Sequence, residues 1–167
     1  MGVASPPPRF VKASPMKKLN LYISVAWIFY VLSWFVTAVK SVEYSGPIPG
    51  WKAFRLASCG VFHCEGVEFQ TPHHAALAGA SAITTVFFLF SPLLILWGSQ
   101  SLRRWSAWVT VAAFLLNIHW LVTFGDQRSA LTIGYYLWLS SFLLLAVGLF
   151  ASVPKPSMLG RIEHASA

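Results

Sequence analysis

Four stretches of this chain run for about twenty residues or more without a single Asp, Glu, Lys or Arg, and short polar or basic segments separate them. They cover residues 19–39 (LNLYISVAWIFYVLSWFVTAV), 75–99 (AALAGASAITTVFFLFSPLLILWGS), 105–124 (WSAWVTVAAFLLNIHWLVTF) and 130–153 (ALTIGYYLWLSSFLLLAVGLFASV). A helix crossing a bilayer needs about 20 mostly apolar residues. Backbone groups in hydrocarbon must pair internally, which requires helices here, because a barrel would show short alternating strands. The pattern predicts an all-α membrane protein. Its four transmembrane helices form an up-down antiparallel bundle, with a longer outer loop at 40–74 between the first two. The connections QSLRR and GDQRS are short enough to make consecutive helices antiparallel neighbours.

Composition agrees with that solvent. The chain is 56% hydrophobic and only 10% charged, where a soluble domain is about 25% charged. The formal charge of +7 does not indicate a nucleic-acid partner, because its basic residues lie between apolar runs and not on one soluble face. Their placement sets an orientation instead. Arg9, Lys12, Lys17, Lys18, Arg103, Arg104, Lys155 and Arg161 fall on one side, and Lys40, Lys52, Arg55 and Arg128 on the other. Eight against four puts both termini in the cytoplasm by the positive-inside rule, which suits a bacterial inner membrane. The alternative of a cleaved signal at Val36-Thr37-Ala38 is disfavoured, since the apolar run exceeds a signal core. Residues 1–18 and 154–167 read as cytoplasmic tails, the first flexible and basic.

The polar stretch CGVFHCEGVEFQTPHH, residues 59–74, holds both cysteines and three of the five histidines. On the outer side thiols oxidise, so Cys59 and Cys64 are expected to form a disulfide, with Gly60 easing the turn. A redox-active pair is the alternative, with His63 stabilising a Cys64 thiolate. The chain carries neither a Cys-x-x-Cys motif nor a second pair to pass electrons onward. A metal or haem site is the other alternative, built from His63, His73, His74 and His119, with Glu68 and Asp126 nearby, since imidazole is a good ligand for zinc or copper. The leading expectation has no cofactor. Asn117 and His119 are two positions apart in one helix and so face different ways.

Small residues at i, i+4 spacing in AALAGASA, with Ala75 and Gly79 among them, provide a face for close helix approach. With Trp51 and Phe54 of the outer loop they are the expected interaction surface, toward a membrane-protein partner or a second copy within the lipid bilayer. Pro92 removes one backbone donor from the second span. Gly-x-Ser-x-Gly, His-Glu-x-x-His and P-loop motifs are absent, and no span carries an acid. The expected role is therefore a non-enzymatic accessory or interaction subunit. Redox, metal or haem handling is the alternative, and a small oligomeric transporter the second.

The motifs PGWKAF (49–54), SPLLILWGSQSLRR (91–104) and GYYLWLSSFLLL (134–145) resemble a loose group of small four-helix bacterial membrane proteins without assigned function. That resemblance implies the fold and topology above and no activity. The disulfide-forming membrane oxidoreductases share four spans but use more cysteines. Claudin-like proteins share the order Trp51, Cys59, Cys64 but not their Gly-Leu-Trp signature.

Overall fold

A computed structural model describes residues 15–41, 46–69, 71–97, 99–123 and 125–152. The predicted tails fall largely outside the described residues. The described chain is mostly helical, with five α-helices: α1 (Pro15–Phe35), α2 (Gly50–Phe62), α3 (Pro72–Trp97), α4 (Gln100–Thr123) and α5 (Ile133–Ser152). Strands β1 (Thr37–Ser41) and β2 (Gly46–Pro49) form an antiparallel hairpin between α1 and α2. By length and composition three helical stretches, Pro72–Ile95, Gln100–Thr123 and Ile133–Ser152, can cross a membrane. Leu19–Phe35 is a shorter apolar helix.

The packing order follows from small residues and aromatics. α1 lies along α5, α5 along α4, and α3 along both α4 and α2. At Gly148 a side chain would stand 2.5 Å from the Tyr22 Cβ, so its absence sets how closely α1 and α5 approach. In the centre, Tyr30 of α1 stacks on Phe88 of α3 at 4.5 Å, and Phe88 meets Phe142 of α5 edge-on at 5.0 Å. Such contacts add to the apolar area already buried there. Pro92 leaves the carbonyl of Phe88, four residues earlier, without its helical donor. The Ser91 hydroxyl donates to that carbonyl at 2.7 Å, so the orphaned acceptor is satisfied inside an apolar core.

Several expected boundaries move. The first helix ends at Phe35, not at residue 39, and begins at Pro15, inside the stretch read as a tail. Proline is at home there, since the first helical turn has no use for its missing N–H. Residues 37–41 leave the helix because better partners exist elsewhere. β1 pairs with β2, Val39 bridges Leu131, and the Thr132 N–H donates to the Ala38 carbonyl at 2.9 Å. The Val36 carbonyl accepts from Gly50 N–H at 3.1 Å. The stretch 40–74, expected as a loop, instead contains part of the hairpin and the whole of α2. The QSLRR segment is the first turn of α4 and not a turn between helices, and GDQRS lies within a 3₁₀ turn, Gly125–Ala130.

Candidate functional site

The hairpin, α2 and the adjoining ends of α3 and α4 gather nearly every residue singled out from the sequence at one end of the molecule. α2 bridges two helices. Its first residue, Gly50, sits against the Ser33 carbonyl and Trp34 of α1, and Phe54 packs on Trp34 with ring centroids 5.3 Å apart. Its other end crosses α3 where Gly60 meets Gly79. A side chain at Gly60 would lie 2.2 Å from the Ala75 carbonyl oxygen and 2.8 Å from the Gly79 nitrogen. Ala75 and Gly79 therefore serve close packing against α2 of their own chain. Gly60 lies inside α2, where it permits this crossing, and the turn assigned to it falls at His63.

That turn carries the disulfide. Cys59 and Cys64 are bonded, with Cα atoms 5.0 Å apart. His63 caps α2 in the left-handed region (φ 49, ψ 60), and its N–H donates to the Cys59 carbonyl at 2.9 Å. The reversal at His63 brings Cys64 back beside Cys59. A non-glycine residue held there costs about 1–2 kcal/mol. Cys59 is buried, whereas Cys64 and His63 are exposed. Both cysteines of the chain are consumed, so no second pair stands ready to relay electrons. Replacing both by Ser is expected to loosen this turn by about 2 kcal/mol, the chain-entropy scale for so small a ring. Hydrogen exchange checks it: protection at residues 59–69 falls while α5 keeps its own.

The histidines divide. His63 points outward, its Nδ1 3.2 Å from the Val61 carbonyl. His73 and His74 sit in the first turn of α3, which Pro72 opens and Thr71 caps by accepting the His74 N–H at 3.2 Å. His119, near the end of α4, meets the His73 ring edge-on with centroids 6.1 Å apart. The His73 and His74 rings are 6.3 Å apart. Among the described residues, no three His, Cys, Asp or Glu side chains stand close enough together to hold a metal ion as placed. The side chain of Asp126 lies outside the described residues.

Polar contacts below this end tie the helices together. Asn117 Nδ2 donates to Thr84 Oγ1 at 2.9 Å and to the Ala113 carbonyl at 2.8 Å. Trp120 Nε1 donates to Ser81 Oγ at 3.0 Å. The Tyr135 hydroxyl of α5 donates to the Asn117 backbone carbonyl at 2.7 Å, and the Tyr30 hydroxyl of α1 to the Thr85 carbonyl at 3.1 Å. Asn117 is wholly buried and its Oδ1 has no partner among the described residues. The pairing of Ser81 and Thr84 with α4 was missed from sequence, because short hydroxyl side chains in an apolar helix carry no sign of their partner.

The exposed face of α2 was read from sequence only at Trp51. Trp51, Arg55, Ser58 and Phe62 recur at i, i+4, i+7 and i+11, which is one face of a helix. Phe62 is 77% exposed and Trp51 48%. Lys52 flanks the stripe and is exposed. The periodicity was present to be read, but only inside a segment taken for a loop. Chemically, this end offers an oxidised cysteine pair, a cluster of imidazoles and a cationic aromatic surface. Compared with protein families, curated proteins and solved structures, the chain matched none.

Proposed function

We propose that this chain is a multipass protein of a bacterial cytoplasmic membrane, built as a four-helix bundle with both termini inside. It acts as a non-enzymatic accessory subunit whose outer cap docks a membrane-protein partner. The observation that carries this reading is the face of α2. Trp51, Arg55 and Phe62 form an exposed aromatic and cationic stripe, and Trp, Phe and Arg are enriched in the buried cores of protein interfaces. α2 is fixed to α1 through Phe54, at the edge of the stripe, and to α3 through Gly60 on the opposite face, and the disulfide closes its end. A surface held this firmly loses little freedom on binding. Three helices of sufficient length and apolarity support the membrane setting, as does the distribution of basic residues.

Two measurements test this. In intact cells, a membrane-impermeant maleimide should label Cys59 and Cys64 only after mild reduction. Labelling by a permeant reagent alone would put the cap on the wrong side. Photo-cross-linking from positions 51 and 62 should then give one discrete protein adduct that Arg55→Glu abolishes, while a probe at Leu115 of α4 gives none. Adducts to lipid alone from all three positions would end the docking reading.

A further inference from the structure

The histidines of α3 and α4 meet in a way that the docking role does not use. His73 lies in the first turn of α3 and His119 near the end of α4, and 45 residues of chain separate them. Their rings nevertheless stand 6.1 Å apart, centre to centre, at 87°. The two helices are pinned to one another close to this point, by Trp120 Nε1 on Ser81 Oγ at 3.0 Å and by Asn117 Nδ2 on Thr84 Oγ1 at 2.9 Å. His74, on the same turn as His73, has its ring 6.3 Å from that of His73.

We propose that His73 and His119 form a two-imidazole chelate for a divalent transition-metal ion of the zinc or copper class, with water completing the coordination. Geometry is the first support. An imidazole nitrogen binds zinc at about 2.1 Å, which puts each ring centre about 3.2 Å from the ion and two tetrahedrally bound ring centres about 5.3 Å apart. The observed 6.1 Å differs from that by less than about 1 Å, a gap that side-chain rotation of the exposed His73 closes without moving a helix. Chemistry is the second support. Imidazole is the side chain that zinc, copper and nickel share as a ligand. Two imidazoles with water leave open coordination positions, as in a site that exchanges its ion. Position is the third: His73 is exposed and His119 only partly covered, so the ion enters from the aqueous side. His74 is the nearest candidate for a third ligand.

The test uses the full chain, free of any histidine tag, in detergent micelles titrated with Zn²⁺ and separately with Cu²⁺. The expected result is one ion per chain, with Cu²⁺ showing more than one nitrogen ligand by electron paramagnetic resonance. His73→Phe and His119→Phe preserve an aromatic ring at the contact and remove its nitrogens. Each is expected to weaken binding at least tenfold while leaving thermal unfolding of the metal-free protein unchanged. His63→Phe should leave affinity where it was. Equal affinity in wild type and both Phe variants would overturn the site. So would loss of binding in the His63 variant alone, or a single nitrogen in the copper spectrum. Because neither Trp51, Arg55 nor Phe62 is involved, failure here leaves the docking reading standing, and the reverse holds as well.

Discussion

Gly60→Ala is expected to destabilise the protein by about 3 kcal/mol, the upper end for overpacking a tight contact. The added methyl would sit 2.2 Å from the Ala75 carbonyl oxygen and 2.8 Å from the Gly79 nitrogen. Both neighbours are backbone atoms of α3, so neither can rotate away, and α2 has to lift from α3. Gly79→Ala is the control at the same crossing. Its methyl meets the Val61 Cγ2 at 2.8 Å, a side-chain atom on an exposed residue that can shift more easily than backbone, so a smaller cost of about 1–2 kcal/mol is expected. Gly66→Ala is the second control. Nothing lies within 4 Å of that position, although φ is +76°, and left-handed strain alone costs about 1–2 kcal/mol. Unfolding in detergent, followed with hydrogen exchange across residues 50–62, ranks the three. A Gly60 variant no weaker than the Gly79 variant would refute the crossing.

Asn117→Asp is expected to cost at least about 3 kcal/mol, whereas Asn117→Leu costs only about 1 kcal/mol. The side chain is wholly buried. In the Asp variant an anionic oxygen replaces Nδ2, 2.8 Å from the Ala113 carbonyl, where two acceptors face each other. Thr84 could donate to it only by giving up the Ser81 carbonyl, to which it donates now at 2.8 Å. Leu removes the charge problem and the unpartnered Oδ1 together. The Thr84 hydroxyl keeps its bond to Ser81, so little is left unsatisfied. Hydrogen bonds between helices in a membrane are worth about 0.6 kcal/mol on average, which keeps the Leu penalty small. Equilibrium unfolding of the two variants in mild detergent decides it. Equal losses would mean that the bond to Thr84, and not the burial of Asn117, sets the cost.

The two variants probe different layers. The Gly60 crossing fixes the cap, and Asn117 fixes the helices beneath it. Trp120, next to His119, shares in the second layer through Ser81. A variant that frees the α3–α4 contact should therefore also weaken the metal uptake proposed at His73 and His119, since such a chelate would depend on those helix ends staying together.

Sequence alone determined the elements whose cause is local. Unbroken apolar runs of helical length specify α3, α4 and α5, because a chain segment without charge or polar alternation has few other ways to satisfy its backbone in an apolar setting. The pairing of Cys59 with Cys64 was legible for the same reason. With two cysteines in the chain and four residues between them, there is one intrachain disulfide that can form. Only the tertiary structure decided the rest, and in each case the deciding partner lies far along the chain. The run 19–39 is equally apolar on both sides of Phe35, and it stops being helical there because β2 and residues 131–132 offer pairing to 37–41. Gly60 reads as a turn residue until α3 is seen against it. The short hydroxyls of Ser81 and Thr84 show no partner until α4 supplies Trp120 and Asn117. His73 and His119 are two of four candidate ligands in sequence, and helix packing alone sets their rings 6.1 Å apart. Periodicity reports what a segment buries, but long-range hydrogen bonds and close backbone approach depend on which segments meet.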